Sequence, residues 1–196
     1  GLTLHNFTSA AAGIGIAAAF VRALARESAR TLANFWVDLV RVTYYLLLPA
    51  SLVLAVVLVA QGAPQNLRPY TVARLVEPAR GPVEKKNERG EIVRRADGQP
   101  ELVEQTVEEQ TIVQGPVASQ VAIKMLGTNG GGYTNANAAH PFENPTPLSN
   151  ALQILAIFAL ASGLTQYLGV AVGQPRHGWS VWVAMLVLFL AGTLVC

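Results

Sequence analysis

Residues 115–147 read GPVASQVAIKMLGTNGGGYTNANAAHPFENPTP. They hold the residue types and spacings from which chemistry could be built. Pro116 suits the first turn of a helix, where its missing N–H costs nothing. The apolar stretch 116–126 that it opens carries one charge, Lys124. Eleven helical residues reach about 16 Å, half of a ~30 Å bilayer core. A helix that enters halfway must come back, and Gly127-Thr128-Asn129-Gly130-Gly131-Gly132 supplies a natural return. Glycine takes positive φ without steric cost, so successive carbonyls can face one side. Carbonyl oxygens arranged in that way replace the hydration shell of a cation. The half-helix would also aim its partly negative C-terminal end at the strand. The strand holds no carboxylate, which argues against a calcium site of acidic ligands. Large, weakly hydrated potassium suits neutral carbonyl oxygens.

Other chemistries fit less well. A phosphate-binding loop needs Gly-Lys-Ser/Thr directly before its helix. Here Lys124 precedes the glycines and the helix comes first. A plain glycine-rich turn without a ligand remains a second reading, and spacing alone leaves both open. Lys124, placed at depth, needs a partner or a water path. It reads either as an electrostatic element near the pore or as the partner of a carboxylate such as Glu143. Asn129, Asn135 and Asn137 surround the glycines, where their amides can brace the strand or face an ion. His140-Pro141-Phe142-Glu143-Asn144-Pro145 reads first as turn chemistry that buttresses an outer vestibule. His5 and His177 are too isolated to suggest a metal site.

The elements that must position this segment are apolar. The chain has 196 residues, 52% hydrophobic and 13% charged, with net charge +2. Soluble domains carry about 25% charged residues. Of the 14 basic and 12 acidic residues, 17 lie within 68–109. So few charges elsewhere cannot cover a water-soluble globule. A soluble enzyme, a nucleic-acid binder and a disordered chain are set aside. One cysteine, Cys196, excludes an internal disulfide. Runs 2–21, 42–60, 151–172 and 179–196 hold no Asp, Glu, Lys or Arg. Each is long enough to span as a helix, since backbone in lipid must satisfy its own hydrogen bonds. The chain starts without Met and ends in an apolar run, so it reads as part of a longer membrane protein.

Charge in the links predicts orientation. Arg22, Arg26, Arg30 and Arg41 flank the first link, and Arg176 and His177 the last, so both read as cytoplasmic. The segment 61–114 is then external, with eight basic and nine acidic residues. Its residues 91–95 and 101–107 could form a hairpin across Asp97-Gly98, and disorder is the alternative. Ser9, Gly13 and Ala17 give a small-residue face for close helix packing. Asp38 and Arg41 stand three apart, a local ion-pair spacing. Thr146-Pro147 reads as an N-cap followed by proline at the first helical position.

The words GPVASQ, AIKMLGTNGGG, NAN and AHPFENPTPLSN, with GLTLHNFTSAAAG and NFWVDLVRVTYYLLLP earlier, carry a resemblance. The chain resembles the potassium-binding subunit family (KdpA) of the bacterial Kdp potassium-transporting ATPase, everywhere except roughly 74–111. The resemblance implies an all-α membrane fold of four helix–pore half-helix–filter–helix repeats, similar to potassium channels. This chain would hold the end of the first repeat and the whole second, so the repeat set is incomplete. The implied parts are a closing helix (1–25), a cytoplasmic link (26–36), a transmembrane helix (37–60) and an extracytoplasmic charged loop (61–114). A re-entrant pore helix with filter and return (115–145), a helix (146–172), a link (173–178) and a truncated helix (179–196) follow. The family's filter maps onto Thr128, Asn129, Gly130, Gly131 and Gly132, with K⁺ at the first four, and a further position onto Asn137. Gly127, Lys124 and Asn135 would support it. Tyr133-Thr134 stands where the family usually has two aromatic residues, and residues 80–109 look like an insertion. The resemblance further implies K⁺ as cargo and no nucleotide on this chain. It implies ATP hydrolysis on a P-type subunit (KdpB), accessory subunits KdpC and KdpF, and a place in the bacterial inner membrane. A passive channel or symporter fragment, or a non-conducting scaffold whose loop binds a partner, are the alternatives.

Overall fold

The structure is a computed structural model that describes residues 1–25, 34–85, 87, 90–95, 97–134 and 136–195. The chain divides into two units, Gly1–Asn66 with Pro116–Cys196, and Leu67–Gly115.

The first unit is helical. Helix α1 (Leu2–Leu24) buries a stripe of Asn6, Ala11, Gly15, Ala18 and Val21. Its opposite side, with Ile16 and Phe20 more than 60% exposed, faces outward. Asn34 caps α2 (Phe35–Val42) by accepting hydrogen bonds from the Trp36 and Val37 amides. The helix then passes through a π-helical turn (Thr43–Leu47) into α3 (Leu48–Ala60). The cause is Pro49, which has no N–H for the carbonyl four residues back. The Leu48 amide reaches instead to the Thr43 carbonyl, five residues back. After α4 (Val117–Leu126) come the long helices α5 (Pro147–Ala171) and α6 (Pro175–Val195). Pro116 caps α4 instead of opening its first turn, and the last long helix starts four residues before the expected 179.

Among the described residues, four helices are long and apolar enough to cross a membrane: Leu2–Leu24, Phe35–Ala60, Pro147–Ala171 and Pro175–Val195. At 1.5 Å per residue they measure about 31 to 39 Å, enough for a ~30 Å core. Val53, Val56, Leu155 and Leu188 on their outer faces are more than 60% exposed. Such surfaces are stable against lipid or other apolar protein, not against water. The chain is a membrane protein. Glycine sets one helix crossing: a Cβ on Gly178 would sit 2.7 Å from the Thr165 carbonyl oxygen, and one on Gly169 2.8 Å from the Gly178 nitrogen. The α5–α6 backbones therefore meet where neither helix has a side chain.

Two expectations about this unit change. Asp38 pairs with Arg22 of α1 at 2.6 Å, so the cross-helix ion pair replaces the local one with Arg41. Ser9 and Gly13 line a cavity, and a Cβ on Gly13 would meet nothing within 4 Å. The close approach on α1 is at Gly15, where a Cβ would lie 3.2 Å from the Phe35 ring.

The second unit is a two-stranded antiparallel ribbon, so the all-α description is corrected for this part of the chain. Strand β1 (Thr71–Glu84) pairs with β2 (Leu102–Ile112), from Thr71↔Ile112 to Glu84↔Leu102. The ladder is irregular between Arg74 and Ala79, around Pro78, which cannot donate to it. The turn at Asp97-Gly98 exists, with Gly98 at φ +81° and Arg95 N–H bonded to the Gln99 carbonyl. Its legs are not those expected. Residues 102–107 pair with 79–84, and among the described residues the bridge Arg94↔Pro100 flanks the turn. The junction is three-way: Lys85 N–H bonds to Glu101 O, Glu101 N–H to Val93 O, and Val93 N–H to Lys85 O.

Candidate functional site

Helix α4 is ten residues long and almost wholly inside the first unit. Val117, Ala118, Gln120, Val121, Ala122, Lys124 and Met125 are buried. It packs against α3, α5 and α1. The Ala118 amide bonds to the Pro64 carbonyl at 2.9 Å, and Gln65 exchanges hydrogen bonds with Ser119. At about 15 Å, α4 cannot span a bilayer.

Its C-terminus turns into the glycine-rich strand. A Cβ at Gly127 would displace the Asn129 side-chain oxygen and lie tight against two carbonyl oxygens, at 3.0 Å from that of Ile123 and 3.2 Å from that of Asn6. The chain leaves the helix through Thr128 at φ +56° and Gly130 at φ +77°. For a threonine this left-handed conformation costs energy that its surroundings must offset. Asn129 N–H bonds to the Lys124 carbonyl, Gly131 N–H to the Asn129 carbonyl, and Asn137 N–H to the Gly130 carbonyl at 2.8 Å. A carbonyl oxygen has two lone pairs, so those of Asn129 and Gly130 each keep one for another partner.

Thr128, Asn129 and Gly127 form one wall of a cavity of about 550 Å³. Ser9 and Gly13 of α1 and Leu160 and Leu164 of α5 form others. Thr128 and Gly131 are exposed, while Asn129, Gly130 and Gly132 are half-buried. Asn137 is held at φ +55° beside Gly130, at the position expected to lie near the strand. Asn135 lies outside the described residues.

Lys124 is completely buried, and its ammonium lies 3.2 Å from Glu143 Oε2, also completely buried. The carboxylate reading of its partner is therefore the one observed. Glu143 does more than neutralise a lysine. Its Oε1 accepts the Tyr133 amide at 2.9 Å and the Thr134 amide at 3.3 Å. Its main chain is fixed as well: its N–H donates to the His140 carbonyl, and its carbonyl accepts from Gln153 Nε2 of α5. His140 Nδ1 accepts the Phe142 amide and closes the same turn. The sequence names Glu143 as a charge partner and as part of a turn, and does not show it as an acceptor for main-chain amides. The available signal was its isolation, the lone acid between 110 and 196.

The return ends in a strong cap. Thr146 accepts the Ser149 amide, and the Ser149 hydroxyl accepts the Thr146 amide, a reciprocal capping box followed by Pro147. The Thr146 hydroxyl donates to Gln61 Oε1 at the end of α3, tying together the two long helices that flank the half-helix. Among the described residues no cluster of His, Cys, Asp or Glu could hold a metal. The site offers a buried half-helix, a strand of main-chain carbonyls at its tip, and a carboxylate spent on internal bonds.

Comparison with known proteins agrees along the whole sequence. The family described as KdpA, Potassium-transporting ATPase A subunit, matches residues 1–196. The chain is 52% identical over 196 residues to a potassium-transporting ATPase potassium-binding subunit of Acidobacterium capsulatum. It is 51% identical over 195 residues to the one of Koribacter versatilis. It is 51% identical over 191 residues to the one of Geobacter sulfurreducens. These alignments cover 100%, 100% and 97% of this chain, and 31%, 31% and 32% of the relatives. The chain thus spans about a third of the length of the curated relatives it matches. On the match of its full length, the chain belongs to the KdpA family of potassium-transporting ATPase A subunits.

Proposed function

We propose that this chain carries one filter segment of a subunit that binds and passes K⁺ in an ATP-driven importer. One observation carries the reading: a buried ten-residue half-helix delivers Thr128 to Gly132 as irregular backbone between membrane-length helices. Irregular backbone at membrane depth is tolerated where it is buried or lines a water path. Thr128, Asn129, Gly130 and Gly131 would present carbonyl oxygens to the ion, with Gly132 completing the strand and Asn137 bracing it. Selection then comes from matching the cost of stripping water off K⁺ with carbonyl dipoles. Glu143 takes no part in coordination, because Lys124 and two amides occupy its oxygens.

The relatives' name, potassium-transporting ATPase potassium-binding subunit, supports a role within such an ATPase. In this reading ATP is hydrolysed on a separate P-type subunit, KdpB, with KdpC and KdpF alongside, all in the bacterial inner membrane. One filter segment cannot ring an ion, so transport requires the other repeats of the subunit. Residues 61–114 lie outside the membrane and the links near Arg22 and Arg176 on the cytoplasmic side.

The test uses the full-length subunit in its assembled complex. A serine at Gly130 should weaken K⁺ stimulation of ATP hydrolysis and narrow K⁺ over Rb⁺ discrimination. Unchanged ion dependence, together with loss of assembly on removing residues 80–109, would replace the filter by a scaffold role. Uptake that persists without ATP would mark a passive pathway.

A further inference from the structure

The Lys124–Glu143 pair touches the strand at both ends. The Lys124 carbonyl accepts the Asn129 amide at 3.2 Å, which fixes the start. Its ammonium holds Glu143, whose Oε1 takes the Tyr133 and Thr134 amides and so fixes the end. The segment from Asn129 to Thr134 is thus bracketed by two residues buried to 0% exposure.

The bracket has a directional effect. In a planar trans peptide the C=O and the N–H of the next residue point in opposite directions. No peptide bond in the described chain is cis. Where the Tyr133 N–H is aimed at Glu143, the Gly132 C=O is aimed away from it. The Thr134 N–H fixes the Tyr133 C=O in the same way. Glu143 thus sets the direction of these two planes, and the glycine at 132 by itself gives little resistance to a flip.

The charges are arranged to make that acceptor harmless. A lone buried carboxylate beside a cation path would itself bind cations or take up a proton. Lys124 cancels its charge within the fold, and Gln153 Nε2 anchors its backbone to α5.

Resting on the filter reading, we propose that Glu143 is a positioning residue for K⁺ selectivity. It aims the carbonyls at the outer end of the strand, and Lys124 acts through it by neutralising the carboxylate. The chemistry predicts that a neutral acceptor serves in place of the ion pair, whereas an apolar side chain does not.

The experiment compares double variants of the full-length subunit in the assembled complex. Readouts are KM and kcat for K⁺-stimulated ATP hydrolysis and the K⁺ to Rb⁺ ratio. K124M with E143Q keeps the acceptor and removes both charges; its KM should stay within threefold of the parent. K124M with E143L removes the acceptor at equal charge. Its KM should rise at least tenfold and its K⁺ to Rb⁺ ratio fall, with kcat within twofold. Equal KM and ratio in the two doubles would overturn the proposal. If the leucine variant does not assemble, E143D decides: with the carboxylate drawn back one methylene, KM should rise at least fivefold, and an unchanged KM and ratio overturn the proposal. Gly130→Ala in the same assay separates the two levels. A silent Gly130→Ala sinks the filter reading itself, whereas an effect there with silent Glu143 variants sinks only the bracket.

Discussion

Replacing Gly130 by alanine asks an L-residue to hold φ +77°. Space is not the obstacle, since the nearest atom to an added Cβ is Asn137 Oδ1 at 3.5 Å. Conformation is: a left-handed L-residue costs about 1–2 kcal/mol. The chain can pay that strain in place, or relieve it by turning the peptide and breaking the Asn137-to-Gly130 hydrogen bond, at about 0.5–1.5 kcal/mol. Strain held in place costs the ion-ready backbone about 1–2 kcal/mol, which is about five- to thirtyfold in K⁺ affinity, and the relaxed route lies at the lower end of that range. Gly131 is the internal control. It is not at positive φ, and an added Cβ there meets nothing within 4 Å in this chain. The assay is the KM for K⁺-stimulated ATP hydrolysis in full-length complexes, with each glycine replaced by alanine in turn. The expected order is a five- to thirtyfold rise for Gly130 and a clearly smaller one for Gly131. Equal effects at the two sites, or the reverse order, would show that backbone conformation at Gly130 does not set affinity.

Three further outcomes follow from the packing. Gly178→Ala drives a Cβ into the Thr165 carbonyl at 2.7 Å and should cost about 1–3 kcal/mol. Gly192→Ala meets open space and should be neutral or slightly stabilising, and denaturant midpoints of the two full-length variants make the comparison. Thr146→Ala removes the acceptor for the Ser149 amide and the bond to Gln61, so a loss of about 1–2 kcal/mol is expected by the same unfolding measurement. Joining Glu84 to Leu102 by Asn-Gly, in place of residues 85–101, closes a ladder whose last pair is already Glu84↔Leu102. The shortened complex should assemble and keep its KM for K⁺, and loss of assembly would assign the junction a partner.

The helices were legible where one local property decides. Uncharged runs of bilayer length mark the long helices. Thr146-Pro147 marks a helix start because capping needs only neighbours within four residues. Pairings across the chain were not legible. Asp38 has Arg41 three residues away and Arg22 sixteen away, and only the α1–α2 packing favours Arg22. Residues 101–107 carry strand character without stating a partner, and the choice of 79–85 over 91–95 belongs to the longer ladder. Ser9, Gly13 and Ala17 marked α1 as a packing helix, but the close approach falls at Gly15, because that is where Phe35 arrives. Glu143 was visible as a charge and invisible as an acceptor for main-chain amides, since those contacts arise only when the strand has turned back.

The buried pair also constrains how the protein is made. Lys124 leaves the ribosome nineteen residues ahead of Glu143. At 5–20 residues per second that is an interval of about 1–4 s. A lysine at mid-membrane without a counter-charge costs about 2.5–3.5 kcal/mol, more than a ten-residue apolar helix readily offsets. The expected outcome is that the half-helix waits at the aqueous face during this interval and docks only once the return and α5 have been synthesised. With Lys124 retained, a Val121→Cys nascent chain arrested before Glu143 should be open to a water-soluble thiol reagent, and one arrested after α5 should be protected. Equal labelling of the two would mean that the half-helix enters on its own.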